Sequence, residues 1–123
     1  MQKTKSLTPE ALRVIRDKGT EVPSTGIYNR FEGIGTYLCR QCGLALFRSD
    51  HKFLSTCGWP SFDQEIEAGK IKEVFDESHG MRRTEIVCAN CEGHLGHVFN
   101  DGPTETGLRY CVNSLSLDFQ SDD

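Results

Sequence analysis

The segment Gly107-Leu-Arg-Tyr-Cys-Val-Asn-Ser114 combines residue types that can activate a thiol. If it forms a β-strand, alternation places its polar members Arg109, Cys111 and Asn113 on one face. The intervening residues are apolar and suit packing against a core. A nearby cation favours the thiolate, the nucleophilic form of cysteine. An isolated strand cysteine is also often a small core residue, so the interpretation depends on the other five cysteines.

Four of those cysteines form two matching Cys-x-x-Cys pairs, each preceded by strand-like residues and followed by a glycine within two positions. Such a turn directs two thiolates to one side, and the glycine lets backbone amides approach the sulfur atoms. Two pairs complete a tetrahedral zinc site with no position left for water, so we predict structural zinc. The predicted ligands are Cys39, Cys42, Cys88 and Cys91.

A competing metal site would use the neighbouring ligands Cys88, Cys91, His94 and His97. It would leave the first Cys-x-x-Cys pair without a role, and its spacing is shorter than is usual between ligand pairs. One Cys-x-x-Cys pair alone would also suit a thioredoxin-like dithiol. Two pairs of the same form favour the four-cysteine site.

Cys57 and Cys111 remain once the predicted zinc ligands are set aside. Gly58 and Pro60 mark an exposed turn around Cys57, whereas Cys111 lies on the predicted strand. A fixed thiol beside Arg109 suits a nucleophile, and a thiol on a mobile loop suits a resolving group that must travel to meet it.

The remaining sequence predicts one short helix followed by short antiparallel strands. Thr8 is the expected N-cap, Pro9 occupies the first turn and Gly19 ends the helix. A second short helix is possible between residues 61 and 69. Alternating or β-branched runs predict strands near residues 35–38, 44–47, 72–75, 83–87, 95–99, 108–112 and 114–119.

Length and charge limit the classes of function. The 123 residues predict one domain over residues 1–123, with flexible tails at about 1–6 and 120–123. A net charge of −4 without a basic cluster argues against nucleic acid or an anionic membrane as a partner. No apolar run has the length of a membrane span and no secretory signal is evident, so we expect a cytoplasmic protein. Six cysteines in that compartment require a metal or redox role.

Several motifs resemble, in the same order, those of the B-type methionine sulfoxide reductases. The resemblance extends from the predicted helix to Phe119, and the 107–114 strand is its most specific part. The other motifs are Gly19-Thr-Glu21, Cys39-Arg-Gln-Cys-Gly43, Cys57-Gly-Trp-Pro-Ser-Phe62, Asp76-Glu-Ser-His-Gly-Met81, Arg83-Thr-Glu85, His94-Leu-Gly-His-Val-Phe99 and Asp101-Gly-Pro103.

This resemblance implies a mainly β fold of two antiparallel sheets in a compact, barrel-like domain. It implies reduction of the R epimer of methionine sulfoxide, mainly in proteins. Cys111 would attack and Cys57 would resolve the product. Further catalytic residues would be His97, His94 and Asn113, and substrate-binding residues would be Trp59, Arg109, Phe99 and His79.

The residue types suit this chemistry in their own right. Trp59 offers an aromatic face to the S-methyl group, and a histidine can protonate the sulfoxide oxygen. Attack by Cys111 would leave methionine and a sulfenic acid, which Cys57 would convert to a disulfide. Thioredoxin is the expected reductant of that bond. We expect a monomer with no organic cofactor.

Two other classes of function fit the sequence less well. A zinc-ribbon-like binding module accounts for four cysteines, but it ignores Cys57, Cys111 and both histidines of the predicted pocket. A metal-dependent hydrolase would require an open coordination position. One residue departs from the family pattern: Glu92 follows Cys91 where a glycine is usual, which could strain the second zinc-binding turn.

Overall fold

The computed structural model describes residues 7–22, 26–53, 55, 57–77, 80 and 82–122. Helix α1 spans Pro9–Ile15, and the Thr8 hydroxyl accepts a hydrogen bond from the Ala11 amide at 3.2 Å. The predicted N-cap is therefore confirmed. The helix ends at Ile15, with Arg16 as its C-cap, one turn before Gly19.

Two antiparallel sheets make up most of the fold, as predicted. The smaller sheet contains β1 (Gly35–Cys39), β2 (Ala45–Arg48) and β9 (Leu117–Ser121) in the order β2-β1-β9. The larger sheet has the order β3-β4-β8-β7-β6-β5. Its strands are β3 (Lys52–Phe53), β4 (Ser61–Phe62), β5 (Ile71–Asp76), β6 (Arg83–Cys88), β7 (His94–Phe99) and β8 (Arg109–Val112). Neither sheet closes on itself within the described residues, so the expected barrel-like shape is corrected to two open sheets.

Two local expectations are also corrected. Residues 61–69 contain strand β4 and turns instead of a helix, because Ser61 and Phe62 pair with β8. The C-terminal tail expected from residue 120 is in fact structured through Asp122, since β9 continues to Ser121. Both carboxylate oxygens of Asp122 accept hydrogen bonds from Arg48 at 2.8 Å. The expected N-terminal tail, residues 1–6, lies outside the described residues.

Aromatic side chains from both sheets form the centre of the core. Phe47 stacks on Phe62 with ring centroids 4.3 Å apart, and Tyr37 meets Phe62 edge-on at 5.0 Å. Tyr110 and Val112 of β8 are buried in the same cluster. Alternation along β8 therefore turns Arg109 and Cys111 away from the core.

An irregularity in β7 decides which side its histidines occupy. Glu85 pairs with His97 and Ile86 with Gly96, but Val87 pairs with His94, so Leu95 is an extra residue on β7. Such a bulge reverses the alternation beyond it. His94 and His97 consequently lie on the same side of the sheet, with ring centroids 5.7 Å apart.

The described residues include no helix that is long and apolar enough to cross a membrane.

The core interpretation predicts that Phe47→Ala lowers the free energy of unfolding by about 3–5 kcal/mol, because the substitution leaves a cavity between the sheets. The matched control is Phe75→Ala, since Phe75 is 64% exposed whereas Phe47 is fully buried. The control should change stability by less than about 0.5 kcal/mol. Urea unfolding measures both, and equal losses would contradict the proposed core.

Candidate active site and metal centre

The four predicted metal ligands converge. The sulfur atoms of Cys39, Cys42, Cys88 and Cys91 all lie within 4.8 Å of one another. Cys39 Sγ is 3.5 Å from Cys91 Sγ, and Cys42 Sγ is 3.6 Å from Cys88 Sγ. Thiolates at ~2.3 Å from a tetrahedral zinc ion lie about 3.8 Å apart. The cluster is therefore positioned to hold a metal ion of this kind.

Both pairs lie in hairpin turns of the same form. Gly43 N donates to Cys39 O in the β1–β2 turn, and Glu92 N donates to Cys88 O in the β6–β7 turn, each at 2.8 Å. The backbone at both donors is left-handed, with φ of 86° at Gly43 and 61° at Glu92. A residue with a Cβ is strained in this region. The departure from glycine noted in the sequence therefore falls where the turn requires a left-handed residue.

The thiols of this cluster shift one another's pKa values. A hydrogen bond with Cys88 raises the pKa of Cys39, and burial adds to the shift. The same contact lowers the pKa of Cys88 to about 5. Four adjacent thiols, two of them buried and two half-buried, cannot all ionise unless a cation neutralises them. The donor set thus suits a bound metal ion.

A cavity of about 270 Å³ lies beside strands β6, β7 and β8 of the larger sheet. This volume is at the lower end of the range for ligand pockets and suits one side chain better than an organic cofactor. Seven predicted site residues line it: Cys57, Trp59, His97, Phe99, Arg109, Cys111 and Asn113. Thr20, Arg83 and Gly96 also line it.

The two remaining sulfurs are in contact, with Cys57 Sγ 3.1 Å from Cys111 Sγ. Cys111 is buried, whereas Cys57 is half-buried. The hydrogen bond from Cys111 lowers the pKa of Cys57 to about 4, and the same hydrogen bond raises the pKa of Cys111. While the two sulfur atoms are in contact, one proton lies between them. Cys57 is then the first of the two thiols to ionise.

Arg109 favours a charge on Cys111 instead. Its guanidinium lies 3.6 Å from Cys111 Sγ and opposes the rise in the pKa of that thiol. Two hydrogen bonds, at 2.9 and 3.1 Å, join it to the carboxylate of Asp101. It also lies over the Phe99 ring, 4.5 Å from the centroid. The bidentate pairing with Asp101 holds the Arg109 guanidinium beside the Cys111 thiol.

His97 lines the cavity, and the carboxylate of Asp76 orients its ring. Its Nε2 lies 2.9 Å from Asp76 Oδ2, and Arg83 contacts the same oxygen at 3.4 Å. With Nε2 engaged by the carboxylate, Nδ1 is the ring atom left for a ligand.

His94 lies deeper than His97 and does not line the cavity. It is 3% exposed, and its Nδ1 is 2.7 Å from Glu85 Oε2. Burial lowers the pKa of His94, while Glu85 opposes that shift. Lys18 pairs with the other Glu85 oxygen at 3.3 Å. These contacts fit a buried histidine that supports its neighbours.

The polar groups of Trp59 and Asn113 are used within the protein. Trp59 Nε1 donates to Glu21 O at 3.0 Å, which leaves the indole ring as its contribution to the cavity wall. Asn113 Nδ2 donates to Leu95 O, and Asn113 Oδ1 accepts from Glu21 N, both at 3.0 Å. Asn113 therefore links β7 to the segment after α1.

Sequence reasoning gave no role to several residues that shape the cavity. Thr20 and Arg83 line it, while Asp76 and Asp101 hold His97 and Arg109. All four occur in the motifs of the family resemblance, which was the signal available for them. His79, predicted to bind substrate, lies outside the described residues.

Backbone strain at Glu92 predicts that Glu92→Gly raises the free energy of unfolding by up to about 1 kcal/mol, since glycine adopts the left-handed conformation without penalty. Glu92→Ala removes the carboxylate but keeps a Cβ, so it should give no comparable gain. Gly43→Ala should be destabilising for the same reason. Denaturant unfolding with zinc present provides the measurement. An equal gain from glycine and alanine would indicate a charge effect.

The lowered pKa of Cys57 predicts that its thiolate persists as the pH falls to about 4. Alkylation of Cys57 by iodoacetamide, followed by peptide mass spectrometry, should therefore continue at pH 5 to 6. In Cys111→Ala the largest cause of the lowered pKa of Cys57 is lost, and the midpoint of the reactivity should rise towards the ordinary thiol pKa of about 8.5. Cys111→Ser keeps a hydroxyl donor and serves as the control. A wild-type midpoint near 8.5 would contradict the shared-proton pair.

Comparison with known proteins identifies the family of this chain. A sequence model described as the SelR domain matches residues 7–121. A peptide methionine sulfoxide reductase MsrB of Leptospira interrogans is 56% identical over 118 residues, covering 96% of this chain and 90% of that protein. MsrB proteins of Chromohalobacter salexigens (92% of this chain, 86% of that protein) and Variovorax paradoxus (94% and 85%) are 57% and 59% identical. The chain belongs to the MsrB family of peptide methionine sulfoxide reductases, a family of oxidoreductases.

Proposed function

We propose that this chain reduces the R epimer of methionine sulfoxide in oxidised proteins, using Cys111 as the nucleophile and Cys57 as the resolving thiol. The observation that carries the proposal is the 3.1 Å contact between these sulfurs inside a cavity that suits one side chain. Family membership supports the reaction, and the MsrB name of the relatives supports the R epimer.

The first step activates Cys111. When a sulfoxide enters, Cys57 takes the shared proton and Cys111 becomes the thiolate, stabilised by the Arg109 guanidinium 3.6 Å away. The Trp59 ring contacts the S-methyl group, since sulfur–aromatic contacts are favourable. These groups place the sulfoxide sulfur next to the thiolate.

The second step transfers the oxygen. Cys111 attacks the sulfoxide sulfur and forms a transient Sγ–S bond, while His97 donates a proton from Nδ1 to the oxygen and Asp76 holds the ring at Nε2. The oxygen then moves from the substrate sulfur to Cys111 Sγ: the substrate S–O bond and the transient Sγ–S bond both break, methionine leaves, and Cys111 is left as a sulfenic acid. His94 and Asn113 hold β7 and the surrounding segments in place for this step.

The third step restores the thiols. Cys57 attacks the Cys111 sulfenic acid, and water leaves as the disulfide forms. A dithiol protein of the thioredoxin type then reduces this bond by exchange. Zinc in the four-cysteine centre would be structural, because four protein ligands leave no position for substrate. The single domain, the monomeric state and the cytoplasmic location remain predictions.

A stereospecific assay tests the proposal. Wild-type protein with thioredoxin should reduce a peptide with R methionine sulfoxide but not the S epimer. Cys111→Ser should lose activity by at least about 10³-fold, as expected when a nucleophile is removed. Cys57→Ser should complete one turnover, accumulate the Cys111 sulfenic acid and then stop when thioredoxin is the only reductant.

A dimedone trap followed by mass spectrometry identifies the sulfenic acid. Steady turnover of Cys57→Ser with thioredoxin would refute the resolving role. Equal reduction of both epimers would refute the stereospecificity, and full activity of Cys111→Ser would refute the mechanism.

A further inference from the structure

Glu21 makes three hydrogen bonds that join separate parts of the cavity wall. Its backbone N–H donates to Asn113 Oδ1 and its backbone carbonyl accepts from Trp59 Nε1, both at 3.0 Å. Its side-chain Oε1 accepts from the amide of Leu115, also at 3.0 Å. Glu21, which lies after α1, therefore contacts both the loop that carries Trp59 and the segment that follows β8.

Of the three Glu21 groups that form these hydrogen bonds, the side-chain carboxylate is the unusual one. The residue is only 3% exposed, and its Oε2 has no hydrogen-bond partner among the described residues. A buried carboxylate is costly, and one with an unpartnered oxygen is more so. Ser114 Oγ and Glu21 Oε2 both lie where a Cβ at Gly26 would sit, so the packing around the carboxylate is tight. A role beyond filling space accounts for a carboxylate at this position.

The Leu115 contact determines where the backbone of Glu21 lies. Because Leu115 lies in a 3₁₀ turn directly after Asn113, the carboxylate ties Glu21 to the segment that follows β8. The backbone carbonyl of Glu21 is then fixed, and it is the acceptor for the Trp59 indole. The neighbouring Thr20 lines the cavity itself.

We propose that Glu21 is a positioning residue: its carboxylate fixes the segment whose carbonyl orients the Trp59 ring in the cavity that contains Cys57 and Cys111. The kinetic consequence rests on the proposed function, since Trp59 is expected to contact the S-methyl group. The structural consequence is independent of it, because Trp59 is the only tryptophan of the chain and its fluorescence reports its own environment.

The test compares Glu21→Ala with Glu21→Gln. Alanine removes the acceptor for the Leu115 amide, whereas the glutamine side-chain oxygen can accept the same hydrogen bond. In Glu21→Ala, acrylamide should quench Trp59 more efficiently, and KM for a peptide with methionine sulfoxide should rise about three- to tenfold, as expected for one lost hydrogen bond. In Glu21→Gln both quantities should stay near wild type.

Glu65→Ala is the matched control. Glu65 Oε1 accepts hydrogen bonds from the amides of Lys70 and Ile71 at 3.0 and 3.1 Å, so the variant loses the same kind of contact away from the cavity. It should leave Trp59 quenching and KM unchanged. If Glu21→Ala does not fold, Glu21→Asp replaces it, because the shorter side chain keeps the charge but withdraws it from Leu115.

Unchanged quenching in folded Glu21→Ala, or an equal change in Glu65→Ala, would overturn the positioning role. Increased quenching with an unchanged KM would also overturn it, because the ring would then move without consequence for the substrate. If wild-type protein fails to reduce the sulfoxide, the proposed function fails, while the quenching comparison still decides whether Glu21 positions Trp59.

Discussion

The antiparallel pairing of β8 on both of its sides determines the rest of the site. Cys111 pairs with His97 of β7 and with Ser61 of β4, so the register alone brings a thiol beside an imidazole and beside the loop that carries Cys57. Side chains alternate in a strand, and a slip of one residue would turn Cys111 into the core and Tyr110 towards solvent. The apolar face of β8 therefore secures the chemistry on its polar face.

Local signals in the sequence were sufficient for much of this arrangement. Alternation over residues 107–114 separated the core face of β8 from its reactive face, and the structure has the same division. The spacing of the two Cys-x-x-Cys pairs predicted a cluster that the fold brings within 4.8 Å. Thr8 and Pro9 located the helix start. Each of these signals comes from a short segment, including the two cysteine motifs that the fold brings together.

Features that depend on distant partners were not predictable in the same way. The bulge at Leu95, which puts both histidines on one side, appears only in the pairing with β6. Asp76 and Asp101 resemble ordinary surface acids until the fold brings them to His97 and Arg109. Strand β4 has only two residues, too few to show a period, and this explains the wrong helix between residues 61 and 69.

The two cysteine turns have a consequence for how the protein assembles. Each turn closes its own hairpin, β1–β2 in the smaller sheet and β6–β7 in the larger one, so each hairpin can present two thiolates before the sheets meet. A metal ion captured by one hairpin would then lack half of its coordination until the other hairpin docks. Completion of the metal site and closure of the core would thereby form a single cooperative event, and the yield of folded protein would depend on the supply of metal.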